Sequence, residues 1–226
     1  SYGCDVLALP ECEDREALAE LADKFEFVAS AEAHETRGFV HLYVRRGLVF
    51  SAVTLDMAGP VVAVRVRCAD ASDDTELVLA AVHLPSGDRS GKRGEIMGQL
   101  MQELGDDDSV CIVGDLNIKD EELGTLCKDL RLRDARYAGV SFGAPGNRFD
   151  HSLPKRSFGQ RYDRVLCAPK VWAESHLIGN APCPSMVASF ICPITVACMR
   201  TLMCVLSIHR RRSRTLRRLV SVVLSW

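Results

Sequence analysis

Four apolar runs of strand length each stop at, or start from, a polar side chain. CDVLALPE (residues 4–11) closes on Glu11, and ELVLAAVHLP (76–85) carries His83 near its end. DDDSVCIVGDLN (106–117) closes on Asp115 and Asn117, and RYDRVLC (161–167) opens on Asp163. A short, almost unbroken apolar run between turn signals is the pattern of a strand covered on both faces. Two further segments alternate instead. GFVHLYVRRG sets Val40, Leu42 and Val44 against His41, Tyr43 and Arg45, and VVAVRVRCA sets Val62, Val64, Val66 and Cys68 against Arg65 and Arg67. Both are expected to be strands with one buried face.

Helical spacing appears between some of these runs. REALAELADKF places Leu18, Leu21, Ala22 and Phe25 on one stripe, which predicts a helix. From Ser90 to Leu104 the stripe is Ile96, Met97, Leu100, Met101 and Leu104, with Gly105 placed as a C-cap. EELGTLCKDL predicts a short helix, and VWAESHLIG is the last strand expected. The Gly-, Pro- and Ser-rich stretch YAGVSFGAPGNRFDHSLPKRSFG has the length and composition of a loop that carries function. Strands of mixed pattern with helices between some of them indicate an α/β or α+β sandwich.

Composition narrows the class further. With 47% hydrophobic residues and a net charge of −2 the chain is not globally disordered. It also lacks the strong basicity of a general nucleic-acid coat. The average conceals an asymmetry: the 52 residues after Glu174 hold seven arginines and no Asp, Glu or Lys, so the first 174 residues carry −9. We therefore expect a main domain over residues 1–183 and an atypical Arg-rich apolar tail over 184–226. For the tail, a membrane span over 186–208 meets the cost of Arg200, about 2.5–3.5 kcal/mol at mid-bilayer, and of Pro193. A basic nucleic-acid or nuclear-localisation stretch in HRRRSRTLRR is a second reading. The preferred expectation is a replaced C-terminus arising from aberrant splicing or a shifted frame.

The ten cysteines include no C-x-x-C pair. Several lie inside apolar runs, where a thiol acts as a small hydrophobe. Buried reduced thiols imply a nuclear or cytoplasmic protein.

The strand-end residues carry the chemistry. A sheet holds side chains firmly at its rim, and a Glu, an Asp and an Asn are hard oxygen ligands suited to Mg²⁺. A histidine beside them can donate to a phosphate oxygen. Each also has an ordinary explanation. Glu11 would serve as a solvated carboxylate and His83 as a core histidine. Asp115 and Asn117 would serve as an Asx turn, and Asp163, between Arg161 and Arg164, as a surface ion pair.

Their order along the chain decides between these readings. DVLALPE, AVHLPSG, VGDLNIKDEE and RYDRVL, in that sequence, resemble the endonuclease/exonuclease/phosphatase (DNase I-like) superfamily over about residues 4–183. GDLNIKDEE, the downstream LRDA and the form of RYDRVL are most similar to its tyrosyl-DNA phosphodiesterase 2 branch. The resemblance implies a two-sheet sandwich flanked by helices, here incomplete at both ends. It implies a Mg²⁺-dependent phosphodiesterase, with Mn²⁺ able to substitute, acting on 5′-tyrosyl DNA in repair as a monomer. It matches Glu11 to the metal-binding glutamate, Asp115 to the aspartate that activates water, and Asn117 and His83 to phosphate-contacting residues. Asp163 matches the aspartate that orients a terminal catalytic histidine, and Lys119 and Arg161 fall near the substrate. Arg89, Lys92, Arg93 and Arg164 are further cations expected to grip phosphates.

Two family segments have no counterpart. A strand ending in Asn would lie upstream of Ser1. Where a Ser-Asp-His motif should follow HLIGNAPCP, the chain reads SMVASFICPITVACMR, and no Asp follows Asp163. The expectation is an impaired hydrolase. The alternatives are a non-catalytic phosphate- or nucleic-acid-binding module, or a phosphoesterase acting on RNA, lipid or inositol phosphates.

Overall fold

Apolar runs too hydrophobic to leave either face in water require two layers of cover, and the computed structural model supplies both. It describes residues 5–12, 21–32, 39–57, 59–67, 76–105, 109–135, 161–178, 203–210 and 218–225. One six-stranded sheet contains β1 (Val6–Cys12), β2 (Phe25–Glu32), β3 (Phe39–Arg45), β10 (Val171–Ile178), β11 (Met203–Arg210) and β12 (Arg218–Ser225), in the order β10-β12-β11-β1-β3-β2. The second contains β4 (Phe50–Val53), β5 (Val61–Arg67), β6 (Glu76–His83), β7 (Val110–Asp115), β8 (Arg133–Asp134) and β9 (Asp163–Cys167), in the order β4-β5-β6-β7-β9-β8. Helices α1 (Ser90–Leu104) and α2 (Asp120–Asp129) pack on the second sheet.

Strand alternation sorts the core into two layers. Leu77, Leu79 and Ala81 of β6 face the first sheet with Cys111 and Val113 of β7 and Val6, Ala8, Val40, Leu42 and Val44. The intervening Val78, Ala80 and Val82 face the helices and meet Ile96, Met97 and Leu100 of α1. This double burial explains why β6 reads as one apolar run. β6 and β7 are parallel, so the chain must cross over between them. The α1 stripe foreseen from its spacing makes that crossover, ending at Gly105 with φ 69°.

Several expectations change. Residues 15–20 of the expected first helix lie outside the described residues, Leu21–Lys24 form a turn, and Phe25 opens β2 instead. β2 is an edge strand whose sequence alternates, Phe25, Phe27, Ala29 and Ala31 against Glu26, Ser30 and Glu32, but the helical stripe ending on Phe25 obscures it. β4 is likewise a short edge strand with exposed and half-exposed residues, although LVFSAV (48–53) is an apolar run that could have signalled it. The single buried face expected for β3 is also wrong. His41 and Tyr43 are buried on the opposite face from Val40, Leu42 and Val44, where His41 stacks on Phe39. On β5, Val61 and Ala63 pack toward α1, so its second face is partly buried too. Strands also continue past VWAESHLIG. β11 pairs antiparallel with β1 (Val6 opposite Leu206, Ala8 opposite Cys204), and β12 pairs with both β11 and β10. β1 therefore has strand neighbours on both sides. The segments MCVLSIHR and RLVSVVLS are rich in β-branched and aliphatic residues, which suit a pleated surface. No helix among the described residues is long and apolar enough to cross a membrane. The Gly/Pro/Ser-rich stretch 137–159 lies outside the described residues.

Candidate active site

Because β6 and β7 are parallel they end at the same edge, and β9, antiparallel to β7, starts there. The register then fixes one row across three strands: His83 opposite Asp115, and Asp115 opposite Asp163. By strand alternation this row lies on the face turned toward the first sheet, one step beyond Ala81, Val113 and Val165. The polar residues thus cap the core between the sheets at its rim. His83 is 2% exposed and Asp163 6%. Asp163 is therefore no surface ion pair.

The GDLN segment is shaped backbone first. Gly114 has φ 138°, and a Cβ there would lie 2.0 Å from the Val82 carbonyl oxygen, so only glycine lets β7 lie this close to β6. Asn117 has φ 50°, a left-handed conformation that asparagine tolerates better than most residues. Its backbone N–H donates to Asp115 Oδ1 at 2.9 Å, and its side-chain Nδ2 donates to the Leu84 carbonyl at 2.9 Å. The Asx turn and the site arrangement are thus the same structure. The turn holds one oxygen of Asp115, while Oδ2 stands 3.8 Å from His83 Nε2. A further ladder step, Leu84 N–H to the Asp115 carbonyl at 2.8 Å and Leu116 N–H to the Tyr162 carbonyl at 3.1 Å, ties the three strand ends together.

Two buried arginines lie behind the row. Arg93, 1% exposed, donates to the Pro85 and Gly87 carbonyls and to the Glu122 carboxylate. Arg164, also 1% exposed, donates to the Ile118 carbonyl at 2.9 Å and to Asp120 at 2.8 Å. Neither is a surface cation, which corrects their reading as phosphate grips: a guanidinium with no water contact and carboxylate partners is committed to the protein. Arg161 donates to Asp134 and lies 3.8 Å from Asp120. Asp134, from the LRDA segment, sits 3.6 Å from Arg164 as well. That acid was the signal that could have assigned these arginines to an internal network. Lys119 is exposed at the start of α2, whose first turn carries Asp120, Glu121 and Glu122, a charge placement favourable to the helix dipole.

Glu11 lies in β1, the strand of the first sheet that packs over β6 and β7, but its side chain is outside the described residues. Among the described residues no three His, Cys, Asp or Glu side chains gather as a metal-holding group. The described residues therefore do not compose a metal centre by themselves. What they do compose is a carboxylate with one fixed oxygen, a buried imidazole beside it and an oriented amide, a set able to bind and align a polar ligand.

Comparison with known proteins agrees with this architecture. D. rerio TDP2 complexed with a single-strand DNA product superposes with a TM-score of 0.51 at 17% identity, covering 73% of this chain and 71% of that one. Truncated Caenorhabditis elegans TDP2 gives 0.51 at 18% identity, with the same coverage. Likeness at this identity speaks for the fold. No curated protein matches the sequence. The sequence model described as the Endonuclease/Exonuclease/phosphatase family matches residues 1–190, most of the chain, and with the strand-end motifs and the two-sheet fold it establishes that this protein belongs to that family.

Proposed function

We propose that this protein is a phosphodiester hydrolase domain of the 5′-tyrosyl-DNA phosphodiesterase type, with turnover impaired in this chain. The observation that carries the reading is the row His83–Asp115–Asp163 with Asn117 at its corner. Phosphodiesters resist attack because their anionic oxygens repel a nucleophile, so positioning and charge compensation are the main needs. In this reading Asp115, steadied at one oxygen by the Asn117 N–H, aligns the attacking water. Asn117 and His83 donate to the phosphate oxygens. Asp163 closes the row from β9, and the exposed Lys119 serves the substrate strand, whereas Arg161 is held by Asp134. Glu11 would complete a Mg²⁺ site, where the cation would neutralise phosphate charge when bound. The family membership supports hydrolysis, and the TDP2 fold likeness is compatible with a DNA substrate. Thiols buried in the sheet core, as at Cys111 and Cys167, fit a nuclear or cytoplasmic setting.

The test is hydrolysis of a 5′-phosphotyrosyl oligonucleotide by the purified chain with Mg²⁺ or Mn²⁺, and with chelator. Slow, metal-dependent release of tyrosine is expected, falling about 10²–10³-fold in Asp115→Ala. Release indifferent to Asp115→Ala would refute the assignment, and enzyme-like turnover would refute the impairment. A second reading, a non-catalytic phosphate-binding module, is favoured by SMVASFICPITVACMR standing where Ser-Asp-His should be. Binding without any metal-dependent release would select it.

A further inference from the structure

We infer that Arg93 and Glu122 are positioning residues that act on Asn117 by clasping the β6–α1 loop to the first turn of α2. The inference rests on the reading of Asn117 as a phosphate-holding residue, and its structural half stands apart from that reading. Arg93 lies in the first turns of α1 and points inward. Its Nη1 donates to the Pro85 carbonyl at 3.0 Å and the Gly87 carbonyl at 2.9 Å. Its Nη2 donates to both oxygens of Glu122 at 2.8 Å, and its Nε to one of them at 3.3 Å. The fork therefore spans the β6–α1 loop and the first turn of α2 at once, which the compact ammonium of a lysine cannot do in the same geometry.

The clasp closes on the site through a short path. Leu84 directly precedes Pro85, and its carbonyl accepts the Asn117 side-chain amide at 2.9 Å. Glu122 belongs to α2, and its N–H donates to the Lys119 carbonyl at 3.1 Å, two residues beyond Asn117. Contacts thus run from Asn117 to Leu84, through Pro85 to Arg93, across to Glu122 and back to the segment that carries Asn117. One amide hydrogen of Asn117 is used on Leu84, which sets the plane of the group and aims the other. Releasing Glu122 loosens the β6–α1 loop from the start of α2, so the amide turns away from its aim while the three-strand row, held by the sheet ladder, stays in place.

The test compares wild type with Glu122→Ala, and with Glu122→Gln as the milder variant that keeps an acceptor. The first readout needs no activity: the side-chain amide signals of Asn117 in a ¹⁵N-labelled protein, assigned with Asn117→Ala. They are expected to shift and to exchange faster with solvent in Glu122→Ala, with Glu122→Gln in between. Unmoved signals in folded protein of either variant would overturn the inference, whatever the activity. The second readout is kinetic. Glu122→Ala is expected to lower kcat about tenfold or more with a smaller change in KM. It should add nothing further in the Asn117→Ala background. An equal loss in both backgrounds would mean that the clasp is only structural. If wild type releases no product, the hydrolase reading fails, and the amide signals still decide the clasp.

Discussion

Gly114 shows how a single residue sets the site. With φ 138° and the Val82 carbonyl oxygen 2.0 Å from where a Cβ would stand, the position combines a conformation other residues rarely adopt with contact against backbone, which cannot swing aside. Gly114→Ala should destabilise the protein by roughly 3 kcal/mol, strain and overpacking together. A urea midpoint close to wild type would show that β6 and β7 are not so closely apposed. The glycine in G-D-L-N was legible as a motif letter, but the carbonyl that requires it was not, since it comes from another strand. Cys127, on α2, is a second single-residue case. Burial, reinforced by the Asp134 carboxylate and opposed by Arg164, pushes its thiol from 9.0 up to about 11. The folded state favours the neutral thiol, so this contribution to stability is complete below pH 9 and is lost as pH rises through about 11. At pH 8 the shift leaves about a hundredfold less thiolate than in the unfolded chain. Iodoacetamide should therefore label Cys127 far more slowly in native than in urea-unfolded protein. Labelling at the unfolded rate would contradict its enclosure.

Between elements, the buried arginines do what hydrophobic packing cannot: they join loops whose polar backbone groups must be satisfied. Arg164 reaches from β9 to the Ile118 carbonyl and to Asp120 at the start of α2, and approaches Asp134 of β8. The partners are unequal. Asp120 has a side chain 73% exposed and Arg164 one that is 1% exposed. Removing the buried partner should therefore dominate. Arg164→Met is expected to cost about 1–3 kcal/mol, because it leaves the buried Ile118 carbonyl unbonded and takes from Asp134 one of its two arginine neighbours. Asp120→Asn should cost within about 1 kcal/mol. Comparable losses from both would mean that the network is solvated. The same elements mark where sequence was enough and where it failed. The α1 stripe was readable because its five apolar positions share one period. β2 was not, because Phe25 fits a helical stripe as well as a strand start. The arginines were misread as phosphate grips because charge predicts exposure unless a buried acid is known to wait opposite. His83, Asp115 and Asp163 were readable as strand ends, yet their shared row depends on a register between strands far apart in the chain. Glu11 remains a sequence assignment.

At the scale of the whole molecule the question is what closes the first sheet. β10 connects to β1 only through β12 and β11 in that sheet. The two tail strands are thus central rather than appended. Sequence could not show this, since an absence of acids and lysines reads equally as membrane span, basic tail or foreign segment, and only pairing distinguishes them. The pairing has a measurable consequence. In the intact chain, amides of 203–210 and 218–225 should be protected from hydrogen exchange to a degree comparable with β3. Removing residues 203–226 would leave unpaired edges on both β1 and β10, which invite aggregation. Exchange should then rise in Val6–Ala8 and in Val171–Ile178, whose partners are gone. β6 and β7 lie in the interior of the other sheet and keep every strand neighbour, so their exchange should rise least. If β1 and β10 exchange as slowly without the tail as with it, the tail strands do not hold the first sheet together. The impairment proposed for the hydrolase would then have to be sought in the missing side chains alone.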